Sequence, residues 1–145
     1  MTSTATPGHI GGSAPRSMRP LRSAWRWPAI ITILVAGAVH IPVTPMHLEE
    51  APYIGWLFIV LTVACFVLAV GLAAFDTGAI WLASGVATAL AVIAYVLSRT
   101  VGLPQIGDDV GNWLEPLGVA AIVTEALTAA IAVRVLMARK TTRVT

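Results

Sequence analysis

The chain has one cysteine, three histidines and few charges. Cys65 lies in an apolar run, and a single thiol excludes an intrachain disulfide, a CxxC redox pair and a Cys-rich metal centre. Only 11% of the 145 residues are charged, against about 25% in an ordinary soluble domain. With 57% of its residues hydrophobic, the chain does not fit a water-facing surface. A net charge of +2 supplies no field that would attract nucleic acid. There is no P-loop, no dinucleotide fingerprint and no Ser-His-Asp order. No histidine follows His47, so the later apolar runs offer no pair of imidazoles for a haem. The length allows one domain.

What the sequence does have is apolar runs at 27–43, 51–75, 77–98 and 113–137. A membrane-spanning helix needs about 20 apolar residues. The pattern predicts an all-α integral membrane four-helix bundle, up-down-up-down, with the spanning domain over 27–138 and the lipid bilayer as its surroundings. Asp76-Thr77-Gly78 is so short a link that runs two and three should be antiparallel neighbours. Residues 1–26 are rich in Ser, Thr, Pro, Gly and Arg and read as a disordered basic tail; 139–145 form a second basic tail. Trp25, Trp27, Trp56, Trp81 and Trp113 all fall near the start of a run, as an interfacial belt requires. Arg16, Arg19, Arg22 and Arg26 precede the first run, and Arg134, Arg139, Lys140 and Arg143 end the last. By the positive-inside rule both termini should lie on the cytoplasmic side of the cell membrane. The opposite side would carry Arg99 against Glu49, Glu50, Asp108, Asp109 and Glu115. An alternative is that the short first run, led by arginines and containing Ala36-Gly37-Ala38, is a cleaved signal peptide, leaving three spans from Val39.

Three features could carry chemistry. The first is His40-Ile-Pro-Val-Thr-Pro-Met-His47-Leu-Glu49-Glu50. Pro42 and Pro45 are expected to end the first helix. His40, His47 and Glu50, joined by Asp108 and Asp109 from the later loop, are donors that suit zinc, iron or copper. The structural alternative is that Glu49 and Glu50 complement the dipole of a second helix beginning at Pro52. The second feature is the loop at 98–109, where Arg99 would fix the path by a salt bridge; Asn112 and Glu115 match an N-cap and its third-position acid. The third is Glu125, roughly 18 Å below the outer end of its helix at 1.5 Å per residue. That is near the midplane of a core about 30 Å thick, so its carboxyl should be protonated, hydrogen-bonded or both. Its helical neighbours Gly118, Ala121, Ile122, Thr128, Ala129 and Ala132 form an inward face, while Val123, Leu127 and Ile131 face lipid. Helix three has a polar stripe of Ser84, Thr88, Tyr95 and Arg99, and a Glu125–Thr88 contact with Tyr95 above it is expected.

The pairing of His40 and His47-x-x-Glu50 with Ser98-Arg99-Thr100-Val101-Gly102-Leu103-Pro104, followed by Glu125, resembles a group of short actinobacterial four-span membrane proteins over roughly residues 40–125. Gln105-Ile106-Gly107 departs from the Gly-Pro expected there. The resemblance implies fold and membrane location and carries no activity. The leading expectation is a non-enzymatic protein that binds a cation or a partner through its outer His/carboxylate cluster, as an accessory subunit of a larger membrane complex. The alternatives are a proton- or ion-coupled carrier using Glu125, working as a homo-oligomer, and a metal-dependent membrane enzyme.

Overall fold

The computed structural model describes residues 21–141, with side chains for 21–139. The expectations for Arg16, Arg19 and Arg143, and for most of the N-terminal tail, lie outside these described residues. Among the described residues four helices make the fold, α1 (Arg26–Glu50), α2 (Pro52–Ala74), α3 (Gly78–Thr100) and α4 (Pro116–Thr141), with a 3-10 turn at Gly107–Asp109. Each α-helix is long and apolar enough to cross a membrane. The chain is a small multi-pass bundle running up-down-up-down. One end, called the terminal end below, holds the start of α1, the end of α4 and the α2–α3 turn; the other holds the α1–α2 corner and the α3–α4 loop.

α1 does not stop at its prolines. It continues through Pro42 and Pro45 to Glu50, seven residues beyond the apolar run. Proline at 42 and 45 withholds the backbone donor from the Ala38 and Ile41 carbonyls, yet the helix runs on. In the same stretch Thr44 Oγ1 donates to His40 O at 2.6 Å, and His40 and His47 each donate Nδ1–H to the carbonyl four residues back. Ala51, extended at φ −142°, makes the corner, and Pro52 opens α2 where its missing N–H costs nothing.

Burial of apolar side chains is concentrated near the terminal end. Ile33, Ala36, Cys65, Leu72, Trp81 and Ala132 form one continuous core. Gly37 lets α1 and α2 approach closely, since a Cβ there would meet Cys65 Cβ at 3.0 Å. Asp76 binds the turn together. Its Oδ1 accepts the Trp81 indole N–H at 2.6 Å, its Oδ2 accepts Ser23 N–H at 2.7 Å, and its carbonyl accepts Leu21 N–H at 2.8 Å. Two expectations change here. Trp81 is fully buried, so it is a core residue held by Asp76 and takes no part in an interfacial belt. Residues 21–25, read as disordered tail, lead into α1 pinned to the α2–α3 turn.

α1 packs along both α2 and α4, and α3 packs along α4. α2 and α3 run antiparallel but touch sparsely despite their tight link. The bundle therefore has one loosely closed seam.

Candidate functional site

Behind that seam, towards the loop end, lies a half-open cavity of about 550 Å³. Its walls are mostly apolar side chains of α2 and α3, including Leu57, Val60, Leu90 and Leu97, which are also exposed on the outside of the bundle. At its inner limit are His40 from α1 and Glu125 from α4. Arg99, Asp109 and Glu115 border it at the loop end.

His40 and Glu125 are 6% and 2% exposed, and His40 Nε2 lies 3.7 Å from Glu125 Oε1. That separation is too long for a hydrogen bond. Glu125 Oε1 has no hydrogen-bond partner among the described residues. The tautomer of His40 follows from its other nitrogen. Nδ1 sits 2.7 Å from the Ala36 carbonyl, which can only accept, so Nδ1 carries hydrogen and Nε2 of the neutral ring offers a lone pair. Phe58 holds this ring from the side, and also the ring of His47, with centroids 4.8 and 4.9 Å away in edge-to-face arrangement.

The expected Glu125–Thr88 contact is not a hydrogen bond. Thr88 is fully buried, but its hydroxyl donates to Ser84 O of its own helix at 2.9 Å, and no hydrogen bond joins it to Glu125. Polar closure between α4 and its neighbours comes instead from Thr128, whose hydroxyl lies 2.7 Å from that of Thr32 on α1. Seven residues separate His40 from Ile33, and one turn more reaches Ala29; this is the inward stripe of α1, and it carries His40 to Glu125 before the first proline is reached.

At the loop end Arg99 is 6% exposed and forms a clasp. Its Nη1 pairs with Asp109 Oδ1, and its Nη2 donates to Glu115 Oε2 at 3.0 Å. Its guanidinium also stands over the Tyr95 ring, 5.0 Å from the centroid. Gly102, at φ +82°, turns the chain out of α3, and Gly111 N–H returns to Arg99 O at 2.9 Å. Tyr53 of α2 reaches across to donate to Pro104 O at 2.6 Å. Glu115 is not a third-position helix acid after Asn112: α4 starts at Pro116, so Glu115 precedes it and is free to pair with Arg99.

The five residues expected to hold a metal are not gathered. His40 faces Glu125 inside the bundle, His47 donates Nδ1–H to Val43 O and packs on Phe58, and Glu50 and Asp108 are exposed while Asp109 is taken by Arg99. Among the described residues no three His, Cys, Asp or Glu side chains come together as a metal site. No family model, curated protein or solved structure matches this chain.

Proposed function

We propose that this chain is a non-enzymatic membrane protein that binds a small, largely apolar molecule in the cavity between α2 and α3. The observation that carries this reading is Glu125, which lines an apolar cavity of about 550 Å³ and whose Oε1 is buried without a hydrogen-bond partner among the described residues. Such an oxygen is costly unless something pairs with it, and cavities of roughly 300–1,000 Å³ with few convergent polar groups are the usual form of a small-molecule site. On this reading the loop end faces away from the cytoplasm, because it carries five carboxylates against one arginine.

The test is binding of 1-naphthylmethanol to the protein in nanodiscs, followed by fluorescence and corrected for empty nanodiscs. Saturable one-to-one binding is expected, and it should be lost in Ala91→Phe and, independently, in Ala64→Phe, which fill the cavity from opposite walls. Binding that survives both substitutions in folded protein overturns the proposal.

A second reading, a proton-coupled carrier, is favoured by one further observation. Two acceptor atoms face each other at 3.7 Å in a buried setting, and a proton between them removes their repulsion. Loss of substrate-driven proton movement in Glu125→Gln proteoliposomes is the outcome this reading requires; undiminished movement removes it.

A further inference from the structure

We infer that the ligand is a lipophilic amine, bound as its ammonium between His40 Nε2 and Glu125 Oε1 in exchange for the proton that these two groups otherwise share. This inference rests on the cavity reading above and adds the chemical class of the ligand.

The inner limit of the cavity is a pair of acceptors. His40 Nδ1–H is committed to Ala36 O, so Nε2 is the free nitrogen, and Glu125 Oε1 is the free oxygen opposite it. A neutral imidazole lone pair facing a carboxylate, both buried, leaves one negative charge uncompensated. One proton placed between them gives a neutral pair. An ammonium nitrogen does the same with better geometry. A nitrogen about 2.8 Å from each atom, an ordinary charge-assisted hydrogen-bond length, sits about 2 Å to the side of the line joining them, and since Oε1 is fully covered the side chains around it must part to admit it. A proton alone cannot bond both at that distance without moving them.

The other charged and titratable groups around the cavity favour the same class. Arg99 on α3 is occupied by Asp109 and Glu115, so the clasp carries an excess of one carboxylate. His47 on α1 spends its Nδ1–H on Val43 O, and Tyr95 on α3 donates to Trp113 O at 3.3 Å. α2 contributes Phe58 and Tyr53, whose π faces accept cations, and the buried thiol of Cys65 near Glu125. No unpaired cation stands against an incoming ammonium among these groups. The apolar part of the ligand would lie along Leu57, Val60 and Leu90, which continue from the cavity to the lipid-facing surface. Access is thus from the bilayer through the sparse α2–α3 seam.

The exchange balances. The ammonium arrives with its positive charge, hydrogen bonds to Nε2 and Oε1 form, the shared proton is lost to solvent, and the site stays neutral. No redox step or further reactant is involved.

The experiment compares 1-naphthylmethylamine with 1-naphthylmethanol on the full chain in nanodiscs at pH 7, in weak buffer with a pH indicator. The amine should bind at least tenfold more tightly than the alcohol and release close to one proton per amine bound. Glu125→Gln should abolish the proton release and bring the amine's affinity down to no more than that of the alcohol measured on the same variant. An alcohol that binds as tightly as the amine, amine binding without proton release, or a Glu125→Gln protein that keeps the advantage each overturns the inference. The wild-type comparison stands without the variant, so a failure of Glu125→Gln to fold does not shelter it. If the alcohol binds and Ala91→Phe blocks it, but the amine gains nothing, the cavity reading survives and the ligand class fails. If neither probe binds, both fail.

Discussion

The two halves of this bundle are built on opposite terms. At the terminal end every buried polar group in the Asp76 cluster is used: one carboxylate accepts from the Trp81 indole and from Ser23, and its carbonyl accepts from Leu21. Ile33, Leu72 and Trp81 fill the space between the helices. Towards the loop end the helices part, a cavity opens, and Glu125 Oε1 is left without a partner. The filled half carries the continuous apolar core and the hollow half carries Glu125; Ser84 Oγ in the filled half and Arg99 Nε at the loop end also lack hydrogen-bond partners among the described residues.

Substitutions can break that contrast. The largest effect is expected for Trp81→Ala, which empties a fully buried site in the filled half and orphans Asp76 Oδ1. A loss of about 3–5 kcal/mol is expected, read as a fall in Tm in detergent; a change within scatter would show that the terminal half is not the stabilising one. Asp76→Asn comes next. It replaces a charged acceptor by a neutral one at the meeting point of three segments, for about 1–3 kcal/mol. Hydrogen exchange should then rise at Leu21 and Ser23 before it rises within α4. Glu125→Leu, in the hollow half, should run the other way. Removing an unpartnered buried oxygen is expected to leave Tm unchanged or raise it by an amount equivalent to about 1 kcal/mol. A clear loss of stability would mean that Glu125 is a structural residue and would weaken the contrast at its centre. The smallest effect belongs to Arg99→Lys, which keeps a charge but loses the two-pronged clasp. It should increase exchange or proteolysis across 101–115 with little change in global Tm.

The fold was legible in the sequence because long uncharged runs leave few alternatives in a bilayer. The direction of Glu125 was legible too, since helical spacing puts it on one face with Ala121, Thr128 and Ala132, all of them buried. Its partner was not. His40 lies before both prolines, on the stripe Ala29, Ile33, Ala36 and His40 that a helix over 27–43 already has; what the sequence withholds is the rotation of α1 about its axis, which turns this stripe towards α4 at the depth of Glu125. The outer cluster of His47, Glu50, Asp108 and Asp109 looked chemical because close positions in sequence and shared loops suggest proximity. In three dimensions His47 turns in towards Phe58, Asp109 is claimed by Arg99, and Glu50 and Asp108 point to the outside. Asp76 had looked like a mere turn residue, because nothing local announces that Trp81 and Ser23 converge on it.

The Asp76 knot also has a mechanical meaning. It fixes α2 and α3 to each other and to the lead-in of α1 at one end only, while little holds the two helices together along their length. They form a pair of levers on a common fulcrum. Each is 23 residues long, so its arm is about 35 Å at 1.5 Å rise per residue. A splay of about 5° at the fulcrum becomes a gap about 3 Å wider at the far tips, by the same geometry. The Tyr53–Pro104 bond spans those tips and is the latch such a movement would have to release.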